Sequence, residues 1–252
     1  MDTSILDQFK LDGKTAIVTG ASRGLGRGMS LALAEAGANL VLVSRSKEGV
    51  AETEKMVQQR NVKTLAVECD VTDLDRFKSE VIEKTVDTFG RIDILVNNAG
   101  IIRRAPAHEH SDEYWDEVID VNLSSLFKIC REVGNKMIEQ KQGKIINIAS
   151  LLTYFGGMTV PSYAASKGAV AQVTKALANE WAQHNIQINA IGPGYFETDN
   201  TAPLRENKDR YEAISARIPT GRWGQPEDLQ GAVVFLASEA SNYVNGHVLM
   251  VD

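Results

Sequence analysis

Seven short runs of aliphatic and β-branched residues divide the chain: TAIVT (15–19), NLVLV (39–43), KTLAV (63–67), DILV (93–96), KIINI (144–148), IQINAI (186–191) and HVLMV (247–251). Runs this continuously apolar suit strands of a parallel sheet whose two faces are both covered by helices. Between them lie longer segments with helical spacing and legible ends. Residues 24–36 are stopped by Gly37, Thr72-Asp73-Leu74-Asp75 reads as a capping box, Ser111-Asp112 opens a long helix, and Pro226 stands just inside another. The alternation predicts an α/β fold, a Rossmann-type doubly wound sheet of seven parallel strands with helices on both faces.

No internal repeat, low-complexity tract or linker interrupts this pattern, so residues 1–252 read as a single dinucleotide-binding and catalytic domain. Residues 195–225 fit the alternation least, since they carry helical stretches but no strand. An insertion of this kind near strand ends usually forms a substrate lid.

Composition narrows the class. Hydrophobic residues make up 43% of the chain and charged ones 24%, the balance of an ordinary soluble globular protein. A net charge of −6 repels nucleic acid and anionic membrane, so any anionic ligand needs a local basic site. The amino terminus has no basic region followed by an apolar core, and apolar runs such as AVVFLA (232–237) are too short to span a bilayer, which makes a cytoplasmic protein the expectation. Cys69 and Cys130 are too far apart in sequence to read as a metal or redox pair and are taken as buried thiols. His108 and His110 have a spacing that suggests metal ligation, but no third ligand accompanies them and both read as surface histidines.

Directly after the first run comes TGASRGLG (19–26), with glycines at 20, 24 and 26. Such glycines permit a tight turn and let the backbone approach a pyrophosphate seated on the following helix N-terminus. A helix packed closely on a strand also selects glycine, yet the position between a first strand and an amphipathic helix favours a nucleotide site. At the end of the second run, Ser44 and Arg45 stand where an NAD site places an acid, and Arg23 lies inside the glycine loop. Two arginines and no carboxylate favour NADP(H) over NAD(H), the alternative for Arg45 being a solvated surface charge.

Tyr163 and Lys167 are four residues apart, on one face of a helix otherwise rich in small residues. A nicotinamide reaction needs a group that gives or takes the hydroxyl proton, and an adjacent ammonium lowers a phenol's pKa toward that use. The plainer alternative is a packed or solvated pair. Ala164, Ala165 and Gly168 leave room for a ligand, while Val170, Val173, Leu177 and Trp181 form a separate packing stripe. Ser150, after NIA at the end of the fifth run, would present its hydroxyl beyond the strand's carboxyl end, where open parallel sheets bind ligands. NNAG (97–100) ends the fourth run in the same way.

Taken together, TGASRGLG, NNAG, the Asn of DVNL, the Ser of NIAS, YAASK and the Pro-Gly at 193–194 resemble the short-chain dehydrogenase/reductase family, in the family's order and over residues 11–252. The resemblance implies Tyr163 as catalytic acid/base and Ser150 as the group that orients the substrate oxygen. Lys167 would bind the nicotinamide ribose and tune Tyr163, and Asn122 would kink its helix and hold a water of the proton relay. It further implies Gly20, Ser22, Arg23, Leu25 and Gly26 at the pyrophosphate and adenosine ribose, and Asp70 and Val71 beside adenine. Asn97 and Gly100 would line the ribose, and Pro193, Gly194, Phe196 and Thr198 the nicotinamide end. Family members commonly continue past the last strand as VDGG and a short tail, whereas this sequence stops at VD. The helices near 112–140 and 162–183 are the family's usual tetramer surfaces, so a homotetramer is expected.

Several further segments, among them IIRR (101–104), PGYFETDNT and RIPTGRWGQPEDL, are similar to a sugar-acid subgroup of that family, the gluconate and keto-deoxy-gluconate 5-dehydrogenases. An acidic protein that binds an acidic sugar needs a local cation, and Arg103 or Arg104 is the candidate, the alternative being a solvated pair. Tyr154, Asn200 and Trp223 suggest a polar pocket. The runner-up substrate is a 3-oxoacyl thioester, and a non-catalytic nucleotide-binding protein is the reading from another class, against which the presence of all four catalytic-type residues argues.

Overall fold

The structure is a computed structural model and describes residues 4–252. Its strands are β1 (Thr15–Thr19), β2 (Asn39–Ser44), β3 (Thr64–Glu68), β4 (Ile94–Asn97), β5 (Gly143–Ile148), β6 (Ile186–Pro193) and β7 (Val248–Val251). They form one sheet in the order β3-β2-β1-β4-β5-β6-β7, every neighbouring pair parallel. The seven apolar runs therefore become the seven strands, with ends moved by a residue or two. From β1 the chain winds outward to β2 and β3, then crosses back so that Ala16 lies opposite Ile94. Winding reverses between β1 and β4, and ligands of open parallel sheets bind beyond the strand ends at such a reversal.

The helices are α1 (Gly24–Glu35), α2 (Lys47–Gln58), α3 (Leu74–Arg76), α4 (Lys84–Phe89), α5 (Asp112–Ile119), α6 (Ser125–Gln140), α7 (Pro161–Trp181), α8 (Ala202–Glu206), α9 (Lys208–Ser215) and α10 (Gln230–Ala237). Strand alternation splits the core in two. Ile17, Leu95 and Ile145 face a layer holding Phe77, Ile129, Met137 and Trp181, whereas Val18, Val96 and Ile146 face Met29, Leu33, Val57 and Leu236. No helix among the described residues is long and apolar enough to cross a membrane.

Three local expectations change. The helical stretch after β3 starts at Leu74 with Asp73 as its cap, accepting from the Arg76 amide at 3.1 Å, while the Thr72 hydroxyl donates to the Asp70 carboxylate at 2.8 Å. The long helix from Asp112 is interrupted by a π-helical turn, Asp120–Ser124, with Asn122 at its centre. Residues 195–224 carry α8 and α9 around a small core of their own, Ile214, Ile218 and Trp223 with Tyr195 and Leu204. Trp223 is only 2% exposed and donates its indole N–H to Ser215 at 2.9 Å, so it supports this segment instead of lining a polar pocket.

Candidate active site

A cleft of about 720 Å³ opens at the carboxyl ends of β1, β2 and β4, where the winding reverses. Its floor is the glycine loop. Gly20 has a φ of +66°, and a Cβ there would come within 2.7 Å of Asn98 Nδ2. A Cβ on Gly26 would strike the Gly20 carbonyl oxygen, which leaves the loop no room for any other residue. Arg23 is the extended cap residue of α1 and supplies no side-chain cap, so the first-turn amides face the cleft with the positive end of the helix behind them. These features fit a pyrophosphate.

Ser22, Leu25, Arg45, Asp70, Val71, Gly100 and Thr198 all line the cleft, as does Arg23. Arg27, which sequence reasoning passed over, braces the loop by donating to the Ser22 carbonyl at 2.6 Å and to Thr53 at 3.0 Å. Both candidate phosphate cations already face acids: Arg23 lies 2.9 Å from Asp199 and Arg45 3.7 Å from Asp70, on exposed side chains.

Four of the expected cofactor residues lie outside the cleft lining. Asn97 points into the α6 layer, donating to Cys130 Sγ at 3.1 Å and Asn147 Oδ1 at 2.9 Å, and it is Asn98 that lines the cleft and donates to the Thr19 and Gly20 carbonyls at 3.0 and 3.1 Å. The cause is the two-residue period of a strand, which sends neighbours to opposite sides. Phe196 is 4% exposed and lies against Gly224, bridged to it across the base of the 195–224 segment. Pro193 ends β6 opposite Val251, and the Gly194 amide bonds the Val251 carbonyl at 2.9 Å, so both belong to the carboxyl end of the β6–β7 pair and not to the cleft lining.

Pro161 opens α7, which carries Tyr163 and Lys167 to the cleft wall. Lys167 is 4% exposed, donates to the Ile148 carbonyl at 2.5 Å, and has its ammonium 5.7 Å from the Tyr163 ring centroid. Burial without an acid pushes its pKa down to about 8. The Tyr163 phenol is held above its usual value by burial, opposed by a hydrogen bond with Ser150 and by the positive charge of Arg104. The Lys167 ammonium is turned onto the end of β5, and Arg104 adds a second positive charge near the phenol.

Ser150 is 8% exposed at the end of β5, its Oγ accepting from the Leu152 amide at 3.1 Å. Asn122 is 1% exposed and clamps the segment after β4: Oδ1 accepts from the Ile101 amide at 2.8 Å while Nδ2 donates to the Ile101 carbonyl at 2.9 Å and to Ser166 at 3.2 Å. Ser166 in turn donates to the Tyr163 carbonyl at 2.8 Å, so the π-helical turn is tied to the tyrosine's own backbone.

The arginine pair separates. Arg103 makes two bonds to Glu117, at 2.8 and 2.6 Å, and sits 5.9 Å from the Tyr114 ring, which commits it to α5. Arg104 is half-buried beside Tyr163, donates to the Asn200 carbonyl at 3.3 Å and pairs with no acid. Burial lowers its pKa, with Tyr163 opposing. His108 is exposed near Glu109, but His110 is half-buried and lies 2.9 Å from the Ser162 hydroxyl, a correction to its reading as a surface histidine. No metal-holding group of His, Cys, Asp or Glu occurs among the described residues, and burial raises the Cys69 and Cys130 thiols to about 11 and about 12.

A family model described as "Enoyl-(Acyl carrier protein) reductase" matches residues 20–252. The chain is 54% identical over 251 residues to a 2-dehydro-3-deoxy-D-gluconate 5-dehydrogenase of Pseudoalteromonas atlantica, covering 98% of each. It is 42% identical to a gluconate 5-dehydrogenase of Gluconobacter oxydans, covering 98% of this chain and 96% of that one. Among solved structures, a gluconate 5-dehydrogenase from Burkholderia cenocepacia in complex with NADP and tartrate matches with a TM-score of 0.94 at 40% identity, covering 99% of this chain and 97% of that one.

Proposed function

The chain belongs to the short-chain dehydrogenase/reductase family, and from that premise we propose that this oxidoreductase interconverts a secondary alcohol and a ketone on a sugar acid of gluconate or keto-deoxy-gluconate type, with NADP(H) favoured. The observation that carries the substrate class is the grouping around Tyr163 of the Ser150 hydroxyl and the acid-free guanidinium of Arg104.

A dinucleotide bound in the cleft would supply or accept the hydride at the substrate carbon. The amides at the start of α1 would hold its pyrophosphate, and Gly20 and Gly26 would let the backbone approach it. Ser150 donates a hydrogen bond to the substrate oxygen and so fixes it beside Tyr163 Oη. In reduction, Tyr163 gives its proton to that oxygen as negative charge develops there, and in oxidation its phenolate takes the proton back. Burial keeps the phenol protonated at neutral pH, which suits the reductive direction. Arg104 binds the carboxylate, a bidentate partner for a planar guanidinium.

Arg23 and Arg45 support the preference for NADP(H), because a ribose phosphate would draw them off Asp199 and Asp70. Arg45→Asp is expected to move the ratio of NADPH to NADH efficiency toward NADH by roughly tenfold or more, as loss of one charge-assisted contact implies. An unchanged ratio would remove Arg45 from the site. The 195–224 segment is proposed as the substrate lid, and the surface of α5, α6 and α7 as that of a cytoplasmic homotetramer, for which light scattering giving a monomer is the contrary result.

The test of function follows loss of reduced-nicotinamide absorbance with 5-keto-D-gluconate, a 4-deoxy-5-keto uronate and an acetoacetyl thioester, each with NADPH and NADH. Turnover of either sugar acid supports the reading. Turnover of the thioester alone would move the enzyme to acyl chemistry with the same fold.

A further inference from the structure

Two guanidiniums stand at the loop before the catalytic helix, carried there by different elements, and neither is paired with an acid among the described residues. Arg104 comes from the segment after β4, whose Ala105 amide donates to the Thr159 carbonyl of that loop at 3.0 Å, and its guanidinium donates to the Asn200 carbonyl at 3.3 Å. Arg210 reaches the loop from α9, where its Nη1 lies 3.5 Å from Met158 Sδ. Each is half-buried, and neither has an ion-pair partner among the described residues, whereas Arg23, Arg103, Arg205 and Arg222 all do. Arg210 is close enough for its charge to act against that of Arg104.

The position of Arg210 is built. Tyr211, the next residue, stacks flat on Trp223 at 5.6 Å between ring centroids and 12° between planes, and Tyr195 packs tilted against the same indole at 5.3 Å. Asn207 caps α9 by accepting from the Arg210 amide at 3.0 Å. With Tyr211 fixed on Trp223, the rotation of α9 is set, and Arg210 is directed at the Met158 loop.

Holding like charges together is unfavourable unless an anion joins them. The dinucleotide's phosphates are served elsewhere, at the start of α1 and beside Arg23 and Arg45. The anion this pair calls for is therefore carried by the substrate. We propose that Arg104 and Arg210 clasp the substrate carboxylate from opposite sides, which makes Arg210 a substrate-binding residue that selects acids over neutral sugars. This rests on the sugar-acid reading above and extends it to the lid. The clasp links substrate charge to the 195–224 segment, since an acid binds both the fixed wall and α9 while a neutral ketose engages neither guanidinium.

The experiment compares 5-keto-D-gluconate with L-sorbose, the same carbon chain with a hydroxymethyl group in place of the carboxylate, at saturating NADPH. Wild type, Arg210→Met, Arg210→Lys, Arg104→Met and the Arg104→Met/Arg210→Met double variant are measured. Arg210→Met is expected to shrink the acid-to-neutral ratio of kcat/KM by about 10- to 100-fold, mostly through KM for the acid, as loss of a charged hydrogen bond implies. Arg210→Lys restores part of the ratio, and the double variant loses less than the product of the two single losses. A ratio unchanged in Arg210→Met, or acid and neutral substrates falling equally, would overturn the clasp while leaving the sugar-acid reading in place. A wild type that reduces the thioester but not the acid would overturn both, and is told apart because it needs no variant.

Discussion

On one side of the cleft the loop between β1 and α1 presents backbone: two glycines that admit no Cβ and a helix start without a side-chain cap. On the other, residues 195–224 present side chains, an aromatic trio of Tyr195, Tyr211 and Trp223 holding Arg210 beside Arg104. Main-chain amides are the same in every protein, so the first region suits a ligand shared by many enzymes. Side chains vary freely, so the second suits a ligand that distinguishes one enzyme from another. Tyr163 and Ser150 stand on the seam between the two, on α7 and at the end of β5.

The seam gives the largest effect. Tyr163→Phe removes the proton donor and keeps the ring, and kcat is expected to fall by about 10²- to 10⁴-fold. NADPH titration by fluorescence should still report binding, because the glycine loop is untouched. With the phenol's pKa held up by burial, wild-type reduction should persist into mildly alkaline solution, while oxidation, which needs the phenolate, should accelerate as pH rises. Oxidation independent of pH from neutral upward would count against Tyr163 as the base.

A pair of variants then sets the two regions against each other. Gly26→Ala drives a methyl group into the Gly20 carbonyl and Asn98, a clash worth about 1–3 kcal/mol that the loop relieves only by moving, so NADPH affinity should drop by roughly tenfold or more. Trp223→Ala empties the small core beneath α9 at a cost of about 3–5 kcal/mol to that segment, and KM for the acid should rise with NADPH binding little changed. If Trp223→Ala weakened NADPH as much as Gly26→Ala does, the division of labour between the regions would be wrong.

The sheet was legible because a strand buried on both faces has no polar alternation to confuse with a helix, and all seven runs became strands. The glycine loop was legible for the related reason that backbone needs are written directly in glycine. What could not be read were directions. Nothing in NNAG says which asparagine faces the cleft, since the answer depends on where the strand's pleat meets the bend, and Asn98 rather than Asn97 lines it. Arg103 and Arg104 are adjacent and chemically identical, and only the presence of Glu117 on α5 separates them. Arg210 had no signal at all in a helix of ordinary charged composition, because its partner Arg104 is a hundred residues away in sequence.

The smallest effect concerns β5, which has a buried lysine at each end. Lys167 bonds the Ile148 carbonyl at the cleft, and Lys144 lies at the opposite end, donating to Asn242 at 2.9 Å and Ser241 at 3.2 Å. Burial pushes the Lys144 pKa down from 10.5 to about 8, with Glu239 opposing and Lys14 adding to the fall. The folded pKa lies below the unfolded one, so between about 8 and 10.5 the unfolded chain binds more protons, and stability climbs with pH through that window. Lys167 acts with the same sign from about 8 upward. The buried thiols act oppositely as the unfolded cysteines, half ionised at 9.0, lose protons that Cys69 and Cys130 keep to about 11 and about 12. Between pH 8 and 9 the lysines outweigh the thiols, because the unfolded cysteines are still mostly protonated there. Across that interval the urea midpoint of the cofactor-free protein should rise, each lysine contributing at most about 1 kcal/mol. Lys144→Met should flatten that rise and leave turnover of the sugar acid intact, since this lysine lies at the far end of β5 from the cleft. A rise equally steep in Lys144→Met would assign the effect to Lys167 alone, and with it to the site.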